Sequence, residues 1–579
     1  MGRSSLHLLP VLVIPFIAAA PAMPACSSTD TDPGTTGGSS SSSSLGGGGA
    51  GGASTTTGSG GQGGSAPGPS AICAALGLTA RPFEPGPYGP HRGDLADDFT
   101  VELADGTTWS FQASFSGCES YVFTPDNLPV SDLDPKSIWE NPSDLKKLVT
   151  TSPRNVHYFF VSRKKTDEEA APNIDGQQAR VEALLATLPE ADAAHWRSHL
   201  HVVRKKAADL GGFITDVLGT HGRIGFAIDR RQRIRGAGYL ADVNRYSSAL
   251  DAQMLWPWKW NLAYLAREPE HFNAESDLAD ALDAEGATVI DLFTGEVLEE
   301  YADTTATLPP AAEMASFDTL EIEVTSRCPD PDDIEIGNCG AWDYLAGLFL
   351  ADDPDHLVEL GRFITAYHRE THWVADVSGL LPLLASGGQH AFRWSFAPEW
   401  NKQPTATRLS LRLSRKNKGV VPRQATYLFS GGAFGSTYNV DRLPVDVPIP
   451  AAAKKVELHV VVTGHGAGTN QCAEFCNHQH EISVNGQTHL IEFPEAGTED
   501  QCVPQVSHGM TPNQAGTWWF GRGGWCPGQQ VNPRVIDVTA EVTPGQPATV
   551  AYRGLWKGAE PPPDDSGDIN LTSYLVVHE

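Results

Sequence analysis

Basic residues are scarce in this chain: 41 lysines and arginines face 70 aspartates and glutamates over 579 residues, a formal charge of −29 at pH 7. A surface of that sign repels nucleic acid and anionic lipid, so neither is expected as a principal partner. Neutral sugars meet no such barrier. Methionine is rarer still, at five, which leaves little for a metal site that combines histidine with methionine. After Ala20 no apolar run is long enough to cross a bilayer as a helix. Residues 71–286 contain no Cys-x-x-Cys, which removes ordinary dithiol redox chemistry from that region. What is present is 40% hydrophobic, enough to build real cores, and the length calls for two to four domains.

The first residues read as an export signal. Arg3 supplies a thin positive start and Leu8 to Ala20 a short apolar run. Met23-Pro24-Ala25-Cys26-Ser27-Ser28 follows. A small residue directly before a cysteine resembles the bacterial lipoprotein cleavage box, from which Met23 and Pro24 depart. The expectation is a signal peptide over 1–25 and lipidation of Cys26, giving an exported chain anchored to the cell envelope or surface; ordinary secretion is the alternative. Residues 26–70 are almost entirely Gly, Ser, Thr and Pro, too poor in apolar area to fold, and so a tether. Of nine cysteines, Cys26 goes to lipid and the other eight form an even set suited to an oxidising compartment. Local spacing suggests Cys328–Cys339 and Cys472–Cys476, leaving Cys502–Cys526 and Cys73–Cys118.

Residues 71–286 look α/β. Phe99 to Leu103 and Trp109 to Gln112 alternate across Asp105-Gly106 like a hairpin. Val156 to Val161 is the apolar run of a buried central strand, and Ala179 to Leu200 carries a helical period. Ile224 to Ile228 then leads into Asp229-Arg230-Arg231-Gln232-Arg233-Ile234. The order resembles a thioredoxin-like domain, without its cysteine pair and with Gly225 where that family has its cis-proline. A structural or docking role is therefore expected. From about 287 the helical signal fades into short alternating strands, among them Leu320 to Val324, Ala391 to Phe396, Arg408 to Leu413 and Val456 to Val462. Gly, Pro and Asn turns separate them, the pattern of antiparallel β jelly rolls. The length asks for two, over 287–425 and 426–579.

Three clusters carry chemistry. Cys339-Gly340-Ala341-Trp342-Asp343-Tyr344 sets a carboxylate after an aromatic. Gly464-His465-Gly466 leads to Cys472-Ala473-Glu474-Phe475-Cys476, in which a small loop would hold Glu474 rigidly. Trp518-Trp519-Phe520-Gly521-Arg522-Gly523-Gly524-Trp525-Cys526-Pro527-Gly528 offers ring faces and donors of the kind that sugars need.

Together with Gly361-Arg362-Phe363-Ile364-Thr365, Asp376-Val377 and Arg534 to Val538, these clusters resemble the peptide-N-glycosidase F family in order and spacing over 287–579. The resemblance implies two jelly rolls side by side, no cofactor, and hydrolysis of the amide between N-acetylglucosamine and asparagine in N-glycosylated proteins or peptides, by a monomer. It implies that Asp343 is the principal catalytic residue, that Glu474 acts through a water, and that Arg522 stabilises charge. Trp342, His465, Tyr344, Glu399, Trp518 and Trp525 are expected around the glycan. Two positions depart from the family: Tyr344 stands where it has an arginine, and Glu399 is one place out of register with its cleft glutamate. Two other functions compete. A glycan-binding protein could keep the cleft without turnover, and a copper-dependent monooxygenase could use paired jelly rolls. His478-x-His480 would suit copper or zinc, but no third ligand stands at a supporting spacing, and no metal is expected.

Overall fold

The computed structural model describes residues 69–126, 138–140, 142–221, 225–240, 261–335, 337–466, 472–563 and 567–579. The expected signal segment, Cys26 and the tether up to residue 68 lie outside these. None of the helices searched among the described residues is long and apolar enough to cross a membrane.

The N-terminal region opens with a hairpin of β1 (Thr100–Glu102) and β2 (Thr108–Ser110). At its turn the Asp105 side chain accepts from the Thr107 amide at 2.9 Å, a local bond that aspartate forms readily in turns. A five-stranded sheet follows, built from β3 (Ser120–Pro125), β4 (Val156–Val161), β5 (Leu200–Val202), β6 (Phe226–Ile228) and β7 (Ile234–Gly236) in the order β5-β4-β3-β6-β7. β3, β4 and β5 run parallel; β6 and β7 are antiparallel to their neighbours. β4 is buried at every position, because both faces of a parallel sheet are covered. Tyr158 and Phe160 point into one core with Trp139, Trp196 and Phe272. Phe159 and Val161 point into the other, with Phe111, Phe123 and Ile214. Gly225 is required here: its φ is +115° and a Cβ would lie 2.1 Å from the Phe123 carbonyl oxygen.

The helical stretch expected over 179–200 is two helices, Asp167–Leu185 and Glu190–Arg197. Pro189 divides them, since proline lacks a donor and forces the preceding residue out of helical geometry. The first helix starts at Thr166, whose hydroxyl accepts from the Glu169 amide at 3.3 Å and whose first turn holds three acidic residues. Both features favour a helix N-terminus.

Beyond helix Arg267–Glu285 the chain is almost entirely antiparallel. The first sandwich uses β8 (Thr288–Leu298), β9 (Tyr301–Leu308), β10 (Thr319–Arg327), β11 (Leu345–Leu350), β12 (Val358–Ile364), β13 (Thr371–Asp376), β14 (Gly388–Ser395) and β15 (Thr405–Ser414). One sheet is β13-β10-β15-β8 and the other is β12-β11-β14-β9. Leu320, Ile322 and Val324 from β10 meet Leu348, Phe363 and Trp394 from the facing sheet, as a period of two dictates. The second sandwich comprises β16 (Pro422–Ala433), β17 (Val445–Pro448), β18 (Lys455–His465), β19 (His478–Val484), β20 (Gln487–Glu492), β21 (Gln530–Val531), β22 (Arg534–Asp537), β23 (Pro547–Trp556) and β24 (Asp568–His578). Its sheets are β16-β24-β18-β22 and β17-β23-β19-β20.

β21 departs from its own sandwich and pairs with β12 of the first, Arg362 opposite Val531 and Phe363 opposite Gln530. In return, Arg362 donates from Nη1 to Thr463 Oγ1 at 3.0 Å and to the Asn570 carbonyl at 2.7 Å. Glu359 takes the other edge of that guanidinium at 2.7 and 2.6 Å. Backbone pairing and a buried, neutralised arginine thus lock the two sandwiches side by side. Disulfides join Cys73 to Cys118, Cys328 to Cys339 and Cys502 to Cys526. The expected Cys472–Cys476 bridge depends on the Cys472 side chain, which lies outside the described residues.

Candidate active site

The chemistry-bearing side chains meet where the two sandwiches adjoin. Asp343 lies in the turn before β11, held by three neighbours. Gln403 Oε1 accepts from the Ala341 amide at 2.6 Å, Thr365 Oγ1 accepts from the Tyr344 amide at 2.7 Å, and the His368 amide donates to the Gly340 carbonyl at 2.7 Å. The Cys328–Cys339 disulfide ties the same turn to the end of β10. Glu474 sits on the one-turn helix Cys472–Phe475, whose Glu474 carbonyl accepts from the Gly523 amide at 2.7 Å; the Gly464 amide in turn donates to the Gly523 carbonyl at 2.8 Å.

Arg522 unites them. Its guanidinium is buried, 1% exposed, and donates from Nε to Glu474 Oε1 at 3.1 Å and from Nη2 to Asp343 Oδ2 at 3.3 Å. Nη1 bonds the Thr517 and Phe520 carbonyls at 3.1 and 3.0 Å. The Nε–Nη2 edge, which a single carboxylate commonly takes as a pair, is here divided between two carboxylates from different sandwiches. Burial raises the pKa of Asp343, and the Arg522 charge opposes that rise. Burial likewise pushes Glu474 up to about 6, with the Asp343 charge adding to the effect and Arg522 opposing it. The Asp343 charge adds to the cost of ionising Glu474, so the two carboxylates titrate as an interacting pair.

Tyr367 completes the centre. Its hydroxyl lies 3.5 Å from Arg522 Nη2 and hydrogen-bonds Asp343. Burial, then the Asp343 charge, drives its pKa well above 10, so it is a permanent donor. Tyr367 lies outside the three motifs, an aromatic hydroxyl two residues past the Gly361–Thr365 string, in the loop leaving a buried strand.

Gly523 leaves no room for a side chain. A Cβ there would lie 2.2 Å from His478 Nε2 and 2.6 Å from the Ala473 carbonyl oxygen. Gly523→Ala is therefore expected to lower stability by about 1–3 kcal/mol, the usual cost of overpacking, and to displace Glu474. A fall in the thermal unfolding midpoint together with reduced activity would be observed.

The chain matches the family described as peptide-N-glycosidase F, C terminal, over residues 433–576. It is also 24% identical over 279 residues to the peptide-N(4)-(N-acetyl-beta-D-glucosaminyl)asparagine amidase F of Elizabethkingia miricola, a match covering 45% of this chain and 73% of the relative. The C-terminal half is similar to peptide-N-glycosidase F. Among solved structures, a peptide-N(4)-(N-acetyl-beta-D-glucosaminyl)asparagine amidase aligns at 17% identity and a TM-score of 0.41, covering 51% of this chain and 96% of its own. PNGase F of Flavobacterium meningosepticum, described as a glycosylasparaginase, aligns at 16% identity and a TM-score of 0.39 with the same coverage. None of these relatives is a thioredoxin-like protein, and that reading of 71–286 rests on the sequence pattern.

The residues expected from resemblance to peptide-N-glycosidase F fall in different places. His465 packs on Trp525 with ring centroids 4.9 Å apart. Burial, then the Arg362 and Arg522 charges, hold its pKa down to about 3, so it is neutral at working pH. Trp525 supports the Arg522 guanidinium at 4.8 Å and fastens its own Nε1 to the Gly464 carbonyl at 2.7 Å. Trp518 is fully buried and leaves no ring face for a sugar, a correction to its expected role: a tryptophan among glycines reads alike as platform or core, and here the core claims it. Trp342 is exposed at the mouth. Tyr344 accepts from Asn401 Nδ2 at 2.6 Å and meets Trp400 edge-on at 6.3 Å. Glu399 is exposed on the turn Glu399–Asn401 and does not join the centre.

The histidine pair at 478 and 480 is committed to a chain of hydrogen bonds. His478 Nδ1 meets His480 Nε2 at 2.7 Å, and His480 Nδ1 meets the Tyr552 hydroxyl at 2.7 Å. Elsewhere Glu119, His157 and His199 bring potential ligand atoms within 4.8 Å of one another. The two imidazoles stack 18° from parallel at 4.3 Å, whereas shared ligation needs the ion in both ring planes; both Nε2 atoms face Glu119 Oε1, at 3.0 and 3.4 Å.

Proposed function

We propose that the chain is a peptide-N4-(N-acetyl-β-glucosaminyl)asparagine amidase, hydrolysing the bond between an N-glycan and asparagine with Asp343 and Glu474 as its working carboxylates. The observation that carries this reading is the single buried arginine shared by two carboxylates of different sandwiches. Hydrolysis of a neutral amide needs an activated water, a place for negative charge on the carbonyl oxygen, and a proton for the departing nitrogen. Water oxygen bonds to the carbonyl carbon, the carbon–nitrogen bond breaks, and the nitrogen leaves with the glycan as a glycosylamine, so asparagine becomes aspartate. Asp343, held by Tyr367 and Arg522, contacts the sugar–amide junction. Glu474 orients the water. Arg522 lends its charge to the oxyanion. Trp342 at the mouth offers its ring to the sugar.

The surrounding features extend the proposal. The mixed sheet β3–β7 supports a thioredoxin-like arrangement without dithiol chemistry. Cys26 would tether a monomeric enzyme to the cell envelope. The other reading, a glycan-binding protein without turnover, draws on Tyr344 and the outward Glu399.

The test is incubation of the form lacking residues before 70 with a denatured N-glycoprotein in water enriched in heavy oxygen. Release of glycan with labelled aspartate at the former site is the expected result; retention of glycan on the protein supports the binding reading. The pH dependence gives a finer check. Because Glu474 ionises at about 6 and must be ionised to hold the water, kcat/KM should fall as pH drops through that value. The residual activity of Glu474→Gln should lack that acid limb; an unchanged limb would assign it to another group.

A further inference from the structure

A second cleft, of about 810 Å³, lies between the N-terminal region and the first sandwich. Its walls are the β6–β7 turn, helix Arg267–Glu285 and the outward face of β10, β13 and β15. That volume is in the range of small-ligand sites. Its composition runs against the rest of the molecule: in a chain of net charge −29, eight arginines and no lysine line it against six carboxylates. Five of the eight guanidinium groups are neutralised, among them Arg81 by Asp280 and Arg231 by Asp283. Arg92 pairs with Glu370 at 3.1 Å, and Arg235 with Asp229 at 3.0 Å and with Glu275. Arg369 pairs with Glu268 at 3.1 Å and with Glu335.

Three are left over. Among the described residues the Arg233 guanidinium has no carboxylate partner and donates only to the Gly93 carbonyl, at 3.0 Å. The Arg327 and Arg408 guanidinium groups have no hydrogen-bond or ion-pair partner among the described residues. Arg233 and Arg327 converge from different domains on one point: a Cβ on Gly93 would lie 2.6 Å from Arg327 Nη1. Arg408 opposes Thr325 across β10–β15, two residues from Arg327 and diagonal to it on the same sheet face. Like charges gathered without counterions repel, and an anion relieves them. Glu84 is the only lining carboxylate likewise unpaired among the described residues.

The walls also hold unspent hydrogen-bonding groups. Ser276 Oγ, Thr371 Oγ1 and His271 Nδ1 belong to residues 2–3% exposed, line the cleft and have no partner among the described residues. Buried polar groups of this kind call for a bonding partner. Guanidinium forks beside scattered hydroxyls suit a ligand that combines an acidic group with many hydroxyls. We propose that this cleft binds an acidic saccharide, one bearing carboxylate or sulfate groups. The inference rests on the amidase reading only for its choice of a sugar over other anions. The cleft adjoins the catalytic turn, since Arg327, Arg369 and Thr371 also wall the small cavity behind Trp342. An acidic arm of a glycan could therefore be held while its root lies near Asp343.

The test is calorimetric titration of the full chain with sialyllactose, 6-sulfo-N-acetyllactosamine, their neutral parents, inorganic sulfate and a tetraglutamate peptide. At least one acidic saccharide is expected to bind about tenfold more tightly than its parent, with affinity falling as salt rises. Arg233→Gln combined with Arg327→Gln should lose that preference while leaving release of a neutral glycan within about twofold. Both residues are exposed, and circular dichroism of the double variant, with Arg408→Gln as a second variant, separates lost binding from lost folding. Absence of acidic-saccharide binding overturns the inference. So does equal binding of inorganic sulfate, tighter binding of tetraglutamate, or undiminished binding by folded variants. Glycan release without acidic-saccharide binding would sink this inference alone; saccharide binding without glycan release would sink the amidase reading alone.

Discussion

Asp343→Asn is expected to reduce glycan release by roughly 10²–10⁴-fold, the range for loss of a positioned acid–base group, with the protein still folded. The amide keeps the shape of the carboxylate and can still accept from Arg522 Nη2 and from Tyr367, so the turn over 339–344 keeps its three backbone restraints. What disappears is the charge and the ability to exchange a proton. The effect should fall on kcat, because Trp342 and the rest of the mouth are untouched. Steady-state kinetics on a defined glycopeptide, with thermal unfolding alongside, would check this. A variant with near-normal kcat would remove Asp343 from the chemistry and leave the shared guanidinium as a structural device.

Arg522→Gln should be nearly as damaging to activity and worse for stability. The side chain bonds two carboxylates and two backbone carbonyls from a position 1% exposed, and breaking a buried ion pair from one side costs about 3–5 kcal/mol. Activity is expected to fall roughly 10²–10³-fold through loss of charge stabilisation at the carbonyl oxygen. The pH response carries the diagnosis. Asp343 and Glu474 are already raised by burial, with Arg522 as the opposing influence. Without it both should rise further, and the acid limb of kcat/KM should move above 6. A carboxyl whose pKa is higher folded than unfolded stabilises the fold below its unfolded value, and that contribution is lost as pH rises through the folded pKa. The variant should therefore regain stability on acidification toward the usual carboxylate range, seen as a rising unfolding midpoint. Arg522→Lys should rescue little, since one ammonium cannot serve the Nε–Nη2 edge and the two carbonyls together. A pH-independent stability loss would show that the carboxylates do not depend on this arginine.

Much of the local architecture was legible from periodicity. The apolar run Val156 to Val161 is a strand covered on both faces, and the alternating stretches Leu320 to Val324, Arg408 to Leu413 and Val456 to Val462 fall within β10, β15 and β18. Pro189 broke a helix that the apolar period alone ran through, because a period registers which face is buried and does not register a missing donor. At the site, three motifs named Asp343, Glu474 and Arg522, and each motif is carried by short-range features: a disulfide-tied turn, a one-turn helix, a glycine-rich loop.

Residue type, spacing and composition by themselves pointed to the two-sandwich architecture and to three of the disulfides, while the chemistry proposed came from the resemblance of three motifs to a family. Only the tertiary structure decided that one guanidinium edge serves two acids, because that depends on β21 leaving its own sandwich to pair with β12 and on Arg362 bridging back. It alone admitted Tyr367 to the centre, enclosed Trp518 and left Glu399 exposed outside it. The arginine-lined cleft is of the same kind, since Arg233 and Arg327 lie far apart in the chain and meet at Gly93. Contacts across such separations are fixed by how packed layers dock, and no local pattern in the chain encodes that.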